Sequence, residues 1–140
     1  RPDKRNAMNA DFWRELPAII HDIDDQSRAR VIVISSTGPH FSSGLDVSSF
    51  SNVNQTAEET DKKTRQLQSG TAFYQNVLFM QESFNAIEEC RLPVLAAIQG
   101  GCIGGGVDLV TVCDIRYASA DAFLTIFEIL ISFFEFILFH

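Results

Sequence analysis

Apolar residues recur along this chain with two different periods. After Asn9, the residues Trp13, Leu16, Ile20 and Ile23 fall on one helical face, and an Asn just ahead of such a run is a favoured helix cap. Pro17 interrupts that run and predicts a local kink. Residues 30–36 form a short apolar run rich in Val and Ile, which predicts a buried strand ended by Thr37-Gly38-Pro39. Residues 41–55 carry many Ser, Asn and Gly and predict a loop and a polar stretch. The charged residues 58–63 predict a solvated helix start. From about residue 71 to residue 90, Phe73, Val77, Met80, Phe84 and Ile87 repeat with helical spacing. A second buried strand is predicted over 94–98 after Pro93. A short helix follows over 107–112, and further strands over 115–117 and 122–127. Strands that alternate with helices predict an α/β fold.

Composition narrows this picture. The chain has 140 residues, 46% of them hydrophobic, enough for one packed domain. Its net charge of -7 makes it a poor general binder of nucleic acid or anionic membranes. The most apolar segment is interrupted by Glu128 and Glu135, which argues against a membrane span. Cys90, Cys102 and Cys113 are odd in number and lack metal-type spacing, so they read as reduced, buried thiols. No metal site is expected, and His21, His40 and His140 show no ligand spacing. Trp13 reads as core. Asp114 and Arg116 are expected to pair with each other or with neighbours after the helix.

Candidate chemistry begins with the glycines. Gly100, Gly101, Gly104, Gly105 and Gly106 lie between a predicted strand and a predicted helix. Such a turn admits a ligand close to the backbone, and a helix start offers unpaired N–H groups. A dinucleotide fingerprint fails because Leu109 stands where its last glycine should be, and a phosphate loop fails because Val107 and Asp108 follow Gly106. A carboxylate just inside the helix suits proton transfer beside a polarised carbonyl. Gly44-Leu45-Asp46 forms a second loop after the first strand. Alone it reads as a turn, and Asp46 as the residue that orders it. Two loops after two strands can each aim one backbone N–H at the same oxygen. Asp108 and Glu128 form a possible carboxylate pair across a pocket, with Glu128 inside the apolar run 124–130. A helix-start carboxylate for Asp108 and an exposed edge position for Glu128 remain the plainer alternatives.

These residues together resemble the enoyl-CoA hydratase/isomerase (crotonase) superfamily, most closely its dienoyl-CoA isomerases. The resemblance rests on Arg1-Pro2-Asp3-Lys4-Arg5-Asn6-Ala7-Met8-Asn9, on Phe41-Ser42-Ser43-Gly44-Leu45-Asp46, and on residues 100–117. It implies a crotonase-like ββα spiral core over residues 1–128, the N-terminal part only, with 129–140 as a divergent apolar tail. It implies oxyanion donors at the Leu45 and Gly105 N–H groups, flanked by Ser43, Gly44, Asp46 and Gly104. Residues 41–50 would line the CoA and acyl site, and Asp108 and Glu128 would move the protons. The implied reaction turns 3,5-dienoyl-CoA into 2,4-dienoyl-CoA during fatty-acid breakdown, in a mitochondrion or peroxisome. The implied partner is an acyl-CoA thioester, with CoA as part of the substrate and no cofactor. Relatives of this kind form trimers and hexamers.

Two departures keep other readings open. Phe136 stands where the dienoyl isomerases carry a third acid, and the adjacent Glu135 would point to the opposite face of a strand. The resemblance also stops after Glu128, as expected of a truncated or fused chain. Enoyl-CoA hydration is one alternative, disfavoured by Asp rather than Glu at 108. A non-catalytic fragment or subunit-binding module is another.

Overall fold

The computed structural model describes residues 1–50 and 62–126 of the chain. Helix α1 spans Ala10–Gln26 and starts where the Asn9 side chain accepts from the Phe12 N–H at 3.2 Å. It buries Trp13, Pro17 and Ile20. Helix α2 spans Lys62–Glu88 and packs against α1. The buried Ser83 hydroxyl donates to the Trp13 carbonyl at 3.2 Å, and Phe84 meets the Trp13 ring edge-on at 5.8 Å. The helix begins within the charged stretch 58–63 that predicts a helix start, and runs on without a break through the apolar period from about residue 71.

The strands among the described residues fall into two sheets. Strands β1 (Ile32–Ser35), β2 (Val94–Ile98) and β4 (Ile115–Ala118) form one parallel sheet in the order β1-β2-β4. Strands β3 (Gly101–Ile103) and β5 (Phe123–Thr125) pair in parallel in a second sheet. The short helix α3 (Gly105–Thr111) lies between β3 and β4. Each pass of the chain thus lays one strand in each sheet, β2 then β3, and β4 then β5. The α/β architecture expected from the alternating pattern is present. Strand β3 was not foreseen, because three residues beginning with glycine carry no readable period.

The core gathers one face of β1 and β2 and the inner faces of the helices. Val94 and Ala96 of β2 and Val110 of α3 have no solvent-exposed surface, and Ile20, Ile32, Ile87, Ile98 and Leu109 pack with them. Each fully buried aliphatic side chain of this kind contributes about 1.5–3 kcal/mol. The first strand needs correction: it is buried on one face only, with Val33 57% exposed. Its β-branched residues suit a pleated surface whether or not both faces are covered, so composition alone overstated its burial.

Asp114 and Arg116 pair with neighbours rather than with each other. Asp114 accepts from the Val94 N–H at 2.7 Å, and Arg116 donates to the carbonyls of Val110, Thr111 and Cys113 at the end of α3. The three cysteines are free. No helix among the described residues is long and apolar enough to cross a membrane.

Candidate active site

The two candidate loops leave the same end of the larger sheet. One follows β1 and the other follows β2, both at the carboxyl ends of parallel strands, where ligands of open α/β sheets bind. The Phe41–Asp46 loop lies alongside the β2–β3 turn. The Phe41 N–H donates to the Gln99 carbonyl at 2.8 Å. The Ser42 N–H donates to Gly101 at 3.2 Å, and the Ser42 carbonyl accepts from Ile103 at 2.9 Å. Ser42 therefore sits in parallel register with Cys102. Its buried hydroxyl donates to the Asn6 carbonyl at 2.9 Å and accepts from the Gly44 N–H at 3.1 Å.

A second parallel bridge sets the direction of Leu45. The Met8 N–H donates to the Gly44 carbonyl at 2.8 Å, and the Asp46 N–H donates to the Met8 carbonyl at 3.0 Å. In parallel pairing a residue bonds to the two neighbours of its opposite number, whose own polar groups face the other way. Leu45 is that opposite number, so its N–H points away from Met8. It has no hydrogen-bond partner among the described residues.

The second donor comes from the start of α3. Gly104 caps this helix with φ 51° and ψ -122°, and its carbonyl accepts from Val107 at 2.7 Å. Gly105 is the first helical residue, so its N–H is one of those a helix leaves unpaired. A methyl carbon at Gly105 would stand 3.8 Å from the Leu45 nitrogen. One at Gly44, where φ is +81°, would stand 2.7 Å from the Ile103 carbonyl oxygen and 3.1 Å from the Gly105 nitrogen. The loops approach this closely only because Gly44 has no side chain. Helix α3 starts two residues before the predicted 107, which moves Gly105 and Gly106 into its first turn.

Asp108 lies three residues after Gly105 and so on the same helical face. It is exposed by area, but protein crowds one side of its carboxyl, and that partial burial raises its pKa above the ordinary 3.8. The Cys102 thiol is pushed up to about 11, mainly by burial and then by the Asp108 charge. Asp46 behaves oppositely. Its carboxylate accepts from the Ser48 hydroxyl at 2.6 Å and pairs with Arg1 at 2.9 Å, contacts that lower its pKa in that order. Its polar groups are thus used in ordering the loop. Ser43 donates its N–H to the Arg5 carbonyl at 2.9 Å.

Leu45, Gly105, Gly44, Gly104, Ser43, Asp46 and Asp108 are thus gathered at one place. Glu128, Glu135 and Phe136 lie outside the described residues, as does the tail over 129–140. Met8, Asn6 and Ser42 have structural parts that the residue patterns did not reveal. Their only signal was the resemblance of the opening segment and of the Phe41 loop. Among the described residues no group of three His, Cys, Asp or Glu side chains is placed to hold a metal ion. A shallow concavity lined by Cys90, Arg91, Leu92, Pro93 and Asp114 lies before the amino end of β2, away from the loops.

A profile of the family described as Enoyl-CoA hydratase/isomerase matches residues 1–138. The chain belongs to this family. Two curated members are Delta(3,5)-Delta(2,4)-dienoyl-CoA isomerases. The peroxisomal protein of Arabidopsis thaliana is 43% identical over 92% of this chain and 45% of its own length. The mitochondrial protein of Mus musculus is 45% identical over 92% of this chain and 38% of its own. The chain therefore spans less than half the length of these relatives. A solved member, a putative enoyl-CoA hydratase of Thermobifida fusca in complex with acetoacetyl-CoA, is 35% identical. It superposes with a TM-score of 0.69 over 89% of this chain and 46% of its own. The chain accordingly has part of the crotonase fold of the enoyl-CoA hydratase/isomerase family, as the motifs implied.

Proposed function

We propose that this chain supplies the oxyanion side of a site that isomerises 3,5-dienoyl-CoA to 2,4-dienoyl-CoA. The observation that carries the reading is the meeting of the Leu45 and Gly105 N–H groups, both unpaired among the described residues, beside Asp108. Two fixed N–H donors at a thioester oxygen stabilise the negative charge that develops when a proton leaves the acyl chain. Loss of one such donor typically costs about 10²–10³ in rate. Asp108, whose pKa partial burial raises above the ordinary carboxylate value, is suited to accept and return a proton at the acyl chain. Glu128 is the second proton-transfer group in this reading. The thioester itself is the electron sink, so the proposed step calls on no cofactor.

The names of the relatives support dienoyl isomerisation and a mitochondrial or peroxisomal location. A second reading, hydration of an enoyl-CoA, is favoured by the name of the Thermobifida fusca neighbour. The two separate on substrate. The purified chain is given a 3,5-dienoyl-CoA and, in parallel, a 2-enoyl-CoA, and ultraviolet absorbance is followed. Growth of the conjugated 2,4-dienoyl band with no consumption of the 2-enoyl ester is the expected result. Loss of the 2-enoyl band alone would replace isomerisation with hydration. Acetoacetyl-CoA binding without turnover of either ester would make the chain a binding piece rather than an enzyme.

A further inference from the structure

His40 joins the two loops. It lies half-buried between the Gly38-Pro39 turn and Phe41, in the segment that leads into the first donor loop. Its Nδ1 accepts from the Gly101 N–H at 3.0 Å, in the strand that leads to the second. Its carbonyl accepts from the Asn6 side chain at 2.9 Å and from the Ser36 hydroxyl at 3.1 Å. The turn it touches is tight. Gly100 has φ +54°, and a methyl carbon there would strike the Pro39 carbonyl oxygen at 2.1 Å and His40 Nδ1 at 2.9 Å. Leu45 follows His40 along one loop, and Gly105 follows Gly101 along the other. The ring is therefore a cross-brace at the base of both.

We propose that His40 is a positioning residue whose neutral imidazole, by accepting the Gly101 N–H, sets the separation of the Leu45 and Gly105 N–H groups, and that protonation of the ring releases this brace. The proposal rests on the reading of those two groups as the oxyanion donors. The chemistry is one of hydrogen-bond polarity. A neutral imidazole accepts at one nitrogen, whereas an imidazolium donates at both. A protonated Nδ1 would face the Gly101 N–H donor to donor, and the bond could not persist. Histidine is the side chain that ordinarily makes this change between about pH 5 and 8. Asp121, in the turn before β5, is a charged group near the ring, and its carboxylate is held chiefly by the Ser119 hydroxyl at 2.6 Å. Asn6 and Ser36 meet the residue with neutral groups only.

The test follows the backbone amide resonances of Gly101, Leu45 and Gly105 in the full 140-residue chain as pH falls from about 8 to 5. All three are expected to move with the midpoint shown by the His40 ring itself. His40→Asn keeps an acceptor oxygen one bond beyond Cγ, where Nδ1 stands, and cannot be protonated in this range. It should abolish the movement at Gly101 and Leu45. At Gly105, whose helix also carries Asp108, it should remove the component that follows His40. Leu45 and Gly105 amides that ignore the His40 titration, or an unchanged pH response in His40→Asn, would overturn the proposal. Affinity for acetoacetyl-CoA gives the functional arm. It should fall about tenfold on acidification in the natural chain, the size of one lost hydrogen bond, and by less in His40→Asn. Absence of acetoacetyl-CoA binding at every pH would count against the oxyanion reading, and the amide titration would still decide the role of His40.

Discussion

The two loops of the candidate site deliver their donors by different routes. Gly105 presents its N–H because it begins a helix, and every helix leaves its first N–H groups unpaired. Leu45 presents its N–H because Met8, far back in the chain, bonds to Gly44 and Asp46 on either side of it. The first donor is a product of local structure and the second of tertiary pairing. A helix start tolerates changes nearby, whereas a donor aimed by one bridge depends on every contact that holds the bridge. The two donors should therefore respond unequally to perturbation, and mutations can probe the difference.

The largest expected effect falls on chemistry rather than on either loop. Asp108→Asn should lower turnover of a 3,5-dienoyl-CoA by about 10²–10⁴, the span usual for a general acid or base. Steady-state rates check it, and retained acetoacetyl-CoA affinity would show that both donors survive. Gly44→Ala comes next and strikes the meeting of the loops. It places an L residue at φ +81° and a carbon 2.7 Å from a backbone oxygen. The left-handed strain of about 1–2 kcal/mol adds to overpacking of about 1–3 kcal/mol, which denaturant unfolding would measure. Gly106→Ala, in the helical loop, should be milder. Its nearest new neighbour is the Ser42 Cβ at 3.1 Å, and alanine there regains about 0.5–1 kcal/mol of helix preference. Equal losses at Gly44 and Gly106 would erase the proposed contrast.

Ser42→Ala should act on the tertiary loop specifically. It strands the Gly44 N–H and the Asn6 carbonyl, at about 1–3 kcal/mol for unsatisfied buried groups. Amide exchange should then quicken at Gly44 and Leu45 more than at Gly105. The smallest effect is electrostatic. The Asp108 pKa is raised on folding, so its contribution to stability is complete below 3.8 and is lost as pH rises through the higher folded value. Asp108→Asn should therefore melt slightly above the natural chain at neutral pH, and the two melting curves should converge in acid.

The same contrast explains what could be read from the sequence. Asn9 and the strand Val94–Ile98 were legible because a cap and a short apolar run after a proline act locally. The glycine cluster announced the second loop, and Asp108 lies in the short helix that this loop begins. The brief β3 escaped because glycine and three residues leave no period. The charged start of α2 was legible, but its continuity with the later apolar stretch was not, because a polar helix face carries no apolar stripe. The direction of Leu45 was beyond pattern reading, since it depends on pairing with Met8 and on a Ser42 hydroxyl that looks like ordinary loop polarity. Only the resemblance pointed there. His40 offered no signal at all, because its partner is a backbone N–H rather than another side chain.

The most direct test of the central claim is the thioester carbonyl stretch of bound acetoacetyl-CoA, isolated by carbon-13 labelling and read by difference infrared spectroscopy. Two N–H groups converging on that oxygen predict a shift to lower frequency than in water, retained in Asp108→Asn and lost in Gly44→Ala. A bound carbonyl that absorbs at its aqueous frequency, or a shift that survives Gly44→Ala, would contradict the account.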